Sequence, residues 1–492
     1  MNRTERVHAF LRRNRVGIGI LTAVFLVDLI YLSNTTGNVP IMDYWRYGDE
    51  FLEEIFNGGI RFDTFWESIN GQRGFLTYLL FFINVKVFRW NTRTAIFFGS
   101  FVTYATGLFL LKILDEKEGK EESRSVRLTG YAAAAVISML LFNYVQWEIK
   151  TIEFAAPFAV ITFFAVLNMW LADNILNHLG AGYERVFWFT VLLGFCICFI
   201  YSAFFPAVVG AICVCGAYQL FSHWKEDGLR YIGAYLIVGG GILAAAAVYL
   251  LGVEGVTGSD FNASVFLQSM VNGDFFKGFA VYLGSSVFHV LFTERYGIRP
   301  TAMLGCVVAL LYLVAIVVWC RERDKMKSYF PVMLIAYSLL AGVLLSYGRG
   351  NVYGIAYMAS SRYGYQSKMG LIGVVMILYR GIRLAEEPLR ARLRLAAGAA
   401  AAGFVTVTLF ASQAMEFRTA PYRRASFDGL IQTMYEIDSK EDEDLTGFQA
   451  NSPDQVRRTV ELMKKYRLGV FAYLPPDGRF DQTEALPDVS VP

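Results

Sequence analysis

Three carboxylates, Asp43, Asp49 and Glu50, fall inside the run Pro40-Ile41-Met42-Asp43-Tyr44-Trp45-Arg46-Tyr47-Gly48-Asp49-Glu50, shortly after an apolar stretch. A carboxylate held among aromatic rings at a membrane surface is partly desolvated, which lifts its pKa towards that of a working general base. Tyr44 and Trp45 offer flat faces of the kind that suit sugar rings. The same residues also fit an interfacial aromatic belt with solvated acids.

A second group is cationic. Tyr347-Gly348-Arg349-Gly350-Asn351 is followed by Ala359-Ser360-Ser361-Arg362-Tyr363-Gly364-Tyr365. Guanidinium groups bind phosphate oxygens bidentately, and glycines let backbone approach an anion. Snorkelling to lipid headgroups is the alternative reading of Arg349 and Arg362. Arg73, in Gly71-Gln72-Arg73, would add a further phosphate contact. Gln146-Trp147-Glu148, with Lys150 and Glu153, forms another aromatic and carboxylate cluster. Tyr282-Leu283-Gly284-Ser285-Ser286 precedes His289, which reads as a packing residue.

The elements that position these residues follow from composition. The 492-residue chain is 55% hydrophobic and 18% charged, where a soluble protein carries about a quarter charged residues. The apolar residues come in blocks of roughly 17 to 22, the length a helix needs to cross about 30 Å of hydrocarbon. Helices satisfy their own backbone there. Lys- and Arg-rich loops stay in the cytoplasm, so Arg3, Arg6, Arg12, Arg13 and Arg15 set the N-terminus inside. About eleven spans follow, at 16–33, 95–114, 128–143, 155–175, 187–204, 206–222, 231–251, 301–320, 329–346, 367–382 and 394–412. Lys117, Lys120, Arg124, Arg127, Lys225, Arg230, Arg321, Arg323, Lys325, Lys327, Arg383, Arg390, Arg392 and Arg394 mark the cytoplasmic ends.

Two shorter apolar stretches, Gly74–Phe88 and Phe275–Val290, would put basic loops on the wrong face as spans, so they read as interfacial helices. The expected fold is an all-α polytopic cell-membrane protein with non-cytoplasmic loops 34–94, 144–154, 252–300 and 347–366. Residues 1–412 form the membrane domain and 413–492 a small external tail, which has too few apolar residues for a large core of its own. Ser452-Pro453-Asp454-Gln455 predicts a capped helix running to about Tyr466, followed by apolar Val470-Phe471-Ala472-Tyr473. Phe427–Ile437 reads as a further amphipathic helix.

All six cysteines sit in apolar blocks and read as packing residues. There is no P-loop, dinucleotide fingerprint or zinc signature. The net charge of +3 gives no reason to expect a nucleic-acid partner. No cofactor is expected, though the carboxylates leave room for a divalent cation.

On Asp43-Tyr44-Trp45 after the first helix, Gln72-Arg73 before an interfacial helix, Gln146–Glu148, Gly348-Arg349 with Ser360–Tyr363, and Leu468–Phe471, the chain resembles the GT-C superfamily of membrane glycosyltransferases. That resemblance implies a polyprenyl-phosphate sugar donor and a cell-envelope glycan or lipid-linked acceptor. It makes Asp43 the base, with Asp49 or Glu50 as substitute, and gives Arg349, Arg362 and Arg73 the lipid phosphate. Tyr44, Trp45, Gln72, Trp147, Glu148, Ser361 and Tyr363 would contact substrate. Gln72 stands where the pattern has histidine. A transporter, flippase or polymerase of lipid-linked glycans is the alternative. Transporters carry charges or broken helices at mid-membrane, and the few charges in these apolar blocks favour the enzyme.

Overall fold

The computed structural model describes Glu5, Leu11 and residues 14–69, 72–114, 124–178, 182–222, 224–253, 263–385 and 388–472. The assignments made above on Arg3, Arg6, Arg12, Arg13, Gly71, Lys117, Lys120 and Tyr473 lie outside these residues. So do the side chains of Arg124, Lys225, Arg230, Asn351, Arg390 and Arg392.

In chain order the main helices are α1 (Arg15–Thr35), α2 (Tyr44–Asn57), α3 (Phe75–Phe88), α4 (Thr92–Leu114), α5 (Arg124–Leu141) and α6 (Ala155–Asn177). Then come α7 (Tyr183–Phe199), α8 (Phe205–Ser222), α9 (Trp224–Leu250), α10 (Ala263–Val271), α11 (Asp274–Gly284) and α12 (Val290–Tyr296). The series closes with α13 (Ile298–Arg321), α14 (Phe330–Leu345), α15 (Gly364–Arg383), α16 (Pro388–Tyr435) and α17 (Pro453–Tyr466). A two-residue antiparallel pair joins β1 (Ser68–Ile69) to β2 (Gln72–Arg73), with Ser68 opposite Arg73.

Among the described residues nine helices are long and apolar enough to cross a bilayer: α1, α4, α5 with its continuation to Thr151, α6, α8, α9, α13, α14 and α16. The protein is therefore an all-α, multi-pass membrane protein. The two stretches read as interfacial form short helices. The second is broken at 285–289 into α11 and α12, and eleven residues of α11 reach only roughly 17 Å. The helix packs so closely on α13 that a Cβ on Gly284 would lie 1.9 Å from the Thr301 carbonyl oxygen. Small residues permit such backbone approach.

Two cores hold the chain. The larger fills the bundle. The smaller sits at one end and joins residues 39–90 to 427–471, with Ile149 and Ile152 beneath. Helix α2 buries Tyr44, Trp45, Gly48, Phe51, Leu52 and Ile55, the i, i+3, i+4, i+7 stripe of an amphipathic helix. That stripe meets the buried face of α17, where Thr459 Oγ1 donates to the Trp45 carbonyl at 3.1 Å. At Gly48 a Cβ would come within 2.5 Å of Thr459 and 2.6 Å of Trp90. Each buried apolar side chain contributes about 1.5–3 kcal/mol, so a tail without its own core is ordered by sharing one with the first loop.

The capped helix of the tail forms as its sequence predicts. Ser452 Oγ accepts from the Gln455 N–H at 3.3 Å, Pro453 takes the first turn, and the helix ends at Tyr466. The break expected at residue 412 is absent. Helix α16 continues for 48 residues through Pro421, merging the last span with Phe427–Tyr435 into one rod roughly 72 Å long.

Candidate functional site

Asp43 occupies the residue before α2 and makes no side-chain capping bond. Burial raises its carboxyl above the ordinary value, and the nearby charges of Arg46, Arg362 and Arg349 only partly oppose that rise. Desolvation thus outweighs three guanidiniums, the balance that leaves a carboxylate basic.

The loop between α14 and α15 brings the two arginines to this carboxylate. Ser360 Oγ accepts from the Arg362 N–H at 3.4 Å and starts a short turn. Glu148 then fixes the side chains of that turn. It accepts from Arg362 Nε at 3.0 Å and from Ser361 Oγ at 2.9 Å. Arg349 lies 5.8 Å from the Tyr353 ring centroid and makes no side-chain hydrogen bond among the described residues, leaving its donors free. Tyr363 is buried beside Tyr357, near both arginines. Asp43, Glu148 and the loop residues Arg349, Ser361, Arg362 and Tyr363 are therefore drawn together from three separate segments.

Other sequence candidates are placed elsewhere. Asp49 pairs with Arg458 of α17 at 3.1 Å, and Glu50 with Arg46 at 2.8 Å. Trp45 is wholly buried against Phe448, with ring centroids 4.8 Å apart, and Tyr44 packs on Phe154 at 4.9 Å. They are core residues, with no face open to a ligand. Gln72 Oε1 accepts from Ser202 Oγ at 3.1 Å. Arg73 is 5% exposed and spends its guanidinium on carbonyls. Nε donates to Tyr249 at 3.1 Å, and the terminal nitrogens donate to Trp66 and Leu251. It caps the C-terminal end of α9, where a cation is favoured, and is not among the cations that act on Asp43. Trp147 stacks under Arg423, 3.1 Å from its ring centroid.

Two buried ionic networks went unassigned in the sequence. Asp28, in α1, accepts from Lys150 Nζ and from Ser100 Oγ at 2.6 Å. Close by, Lys368 of α15 donates to the Leu141 carbonyl at 2.8 Å and to Gln146 Oε1 at 3.0 Å. Glu416, in α16, accepts from Tyr31 at 2.6 Å and from Arg423 at 2.7 Å, and pairs with His289 Nε2 at 3.0 Å. His289 Nδ1 accepts the Leu291 N–H, which makes Nε2 the protonated nitrogen and the donor to Glu416. The usable signal was a single carboxylate in an otherwise apolar span, such as Asp28 or Glu416.

Glu153 lies in the turn between α5's continuation and α6. It is 1% exposed, and its Oε1 accepts from Trp90 Nε1 at 2.8 Å. Oε2 has no partner among the described residues. Burial pushes this carboxyl up to about 8, against the bond from Trp90, which lowers it. The folded state therefore holds the proton more tightly than the unfolded state, whose carboxyl stays near 4.5. Stability is fully present below about pH 4.5, declines as pH rises to about 8, and is flat above that. Glu153→Gln is expected to raise the unfolding temperature clearly at pH 8 and hardly at pH 5, measured in detergent micelles. An equal change at both pH values would show that the carboxyl is not carrying a proton.

Among the described residues, no group of three or more His, Cys, Asp or Glu side chains is arranged to hold a metal ion. No family model, no curated protein and no solved structure matches the chain.

Proposed function

We propose that this protein is a membrane glycosyltransferase that moves a sugar from a polyprenyl-phosphate donor to a cell-envelope glycan or lipid-linked acceptor on the non-cytoplasmic face. The observation that carries this reading is the desolvated Asp43 carboxylate within electrostatic reach of Arg349 and Arg362. Asp43 takes the proton of an acceptor hydroxyl as its oxygen bonds to the anomeric carbon. The bond from that carbon to the phosphate oxygen breaks, and the electron pair leaves on the phosphate, which the two guanidiniums stabilise. Glu148 orients Arg362 for that task.

The reading includes an orientation. With α7 and α15 counted beside the nine longer helices, the chain makes eleven passes. The N-terminus lies inside, and the site, α2 and α17 lie outside. Two observations support it. At the site end the Thr92 N–H donates to Asn38 Oδ1 and the Met42 N–H to the Phe448 carbonyl. Asp173, Ser328 and Tyr329 meet at the other end, among the basic loops. Single cysteines at 325 and 440 are expected to label from the cytoplasmic and the outer side respectively. Labelling of both from one side would overturn the orientation.

Arg362→Lys keeps the charge and loses the fork. It is expected to raise the donor KM by about tenfold or more, with Arg349→Lys acting in the same direction, in proteoliposomes supplied with polyprenyl-phosphate sugars. Unchanged KM in both variants would remove the phosphate site.

A second reading, a transporter or flippase of lipid-linked glycans, draws on the Asp28–Lys150 pair and Lys368, since ionisable residues inside spans mark transport paths. Lys150 is held by Asp28, and Lys368 by the Leu141 carbonyl and Gln146. That favours a fixed structural network over a moving relay. Flipping of a labelled glycolipid by Asp43→Asn liposomes at the wild-type rate, without any sugar transfer by wild type, would reverse this preference.

A further inference from the structure

A cleft of about 230 Å³ opens between α10–α11 and the loop that carries Arg349. We propose that it binds one uncharged sugar ring, and that this ring belongs to the acceptor. The volume lies below the roughly 300 Å³ at which drug-sized pockets begin, which suits a single ring. Gln268, Ser269, Asn272 and Ser346 are among the polar residues that line it, and Phe275 adds an aromatic side chain.

Ser346 is the telling residue. It is 6% exposed, and its hydroxyl has no hydrogen-bond partner among the described residues. Its oxygen is closed off from solvent, so a ligand hydroxyl reaches it once the side chain turns towards the cleft, and the cost of a buried, unbonded hydroxyl favours that turn. The neighbouring groups still have capacity. Ser269 Oγ donates to the Phe266 carbonyl at 2.6 Å and keeps its lone pairs. Asn272 Oδ1 accepts from the Asp274 N–H at 3.0 Å and keeps its NH2 donors. Amides and hydroxyls that both donate and accept match a ring of hydroxyls.

Charge separates this ligand from the donor. Asp274, the one charged group of the lining, is neutralised by Lys277 at 2.9 Å. A phosphate would meet a carboxylate here and no free cation, so it belongs at Arg349 and Arg362. Ser346 and Arg349 sit in the same five-residue turn, 346–350. The turn that lines the cleft with Ser346 and Gly350 therefore also carries Arg349, one of the cations acting on Asp43. The assignment to the acceptor rests on the transfer reading; sugar binding itself does not.

The test uses the full chain in nanodiscs and saturation-transfer NMR. The probes are D-glucose, D-galactose, D-mannose and N-acetylglucosamine. At least one is expected to give a saturable signal. Gln268→Ala with Asn272→Ala, both at the exposed lip, should weaken it by about tenfold, and Ser346→Ala should weaken it as well. Absence of a saturable signal from every probe overturns the proposal, as does unchanged binding in the double variant with a wild-type unfolding temperature. Sugar transfer untouched by the cleft variants overturns the acceptor assignment and leaves Asp43's role intact. Saturable binding without transfer from any lipid-linked donor upholds the cleft and removes the transfer reading.

Discussion

Replacement of Asp43 by asparagine is expected to lower sugar transfer by about a hundredfold or more, the usual scale for a lost proton transfer. Asparagine keeps the size and the position before α2, and Asp43 makes no capping bond there that could be lost. The unfolding temperature and donor KM should therefore stay near wild type while kcat falls. A pH profile gives an independent readout. Burial raises the Asp43 carboxyl above the ordinary range, so wild-type kcat/KM should climb with pH through that raised value as the base deprotonates. Asp43→Asn should lack this limb. Asp49 and Glu50 are tied to Arg458 and Arg46, so Asp49→Asn and Glu50→Gln should each keep most of the activity. Full turnover in Asp43→Asn, with the acidic limb retained, would dismiss the carboxylate as base.

The largest expected effect on stability lies at Lys150. The residue is 4% exposed, and its ammonium is held by Asp28 and rests over the rings of Phe142 at 5.2 Å and Tyr144 at 4.8 Å. Lys150→Met keeps the length of the side chain and leaves Asp28 as an uncompensated charge at 0% exposure. Breaking one half of a buried pair costs about 3–5 kcal/mol, whereas replacing both halves with neutral groups is near neutral. Lys150→Met should lower the unfolding temperature in detergent sharply. The double variant Asp28→Asn with Lys150→Met should recover most of that loss. Equal destabilisation by the single and double variants would mean that Lys150 acts through packing alone. A fully stable Lys150→Met would deny the pair its structural role and strengthen the transport reading.

Much of the architecture was legible because hydrophobic length and helix capping are local properties. Val16–Ser33 reads as a span from its composition alone, and the structure gives Arg15–Thr35. Ser452-Pro453-Asp454-Gln455 carries its own start signal, and α17 begins at Pro453. Counting Gly74–Phe88 and Phe275–Val290 as spans would put basic loops on the wrong face, and the chain forms short helices there. The merging of the last span with the tail was not legible. Pro421 and Arg418, Arg423 and Arg424 look like a helix end, yet Glu416 and Asp428 pair with Arg423 and Arg424 and the helix runs through.

By itself the sequence determined where the apolar helices lie and which residue types stand near their ends. It placed Asp43 after the first span and Arg349 with Arg362 in a single loop, because composition and spacing are read along the chain. Tertiary structure alone decided which of these chemically able residues share a site. Arg73 and Arg362 look alike in sequence, but one is consumed by the carbonyls ending α9 and the other is oriented by Glu148. Trp45 and Asp43 stand two positions apart, but the helical turn sends the indole into the core shared with the tail and leaves the carboxylate among the arginines. Burial, and with it the basicity of a carboxyl, depends on contacts between segments hundreds of residues apart, and no local pattern encodes those.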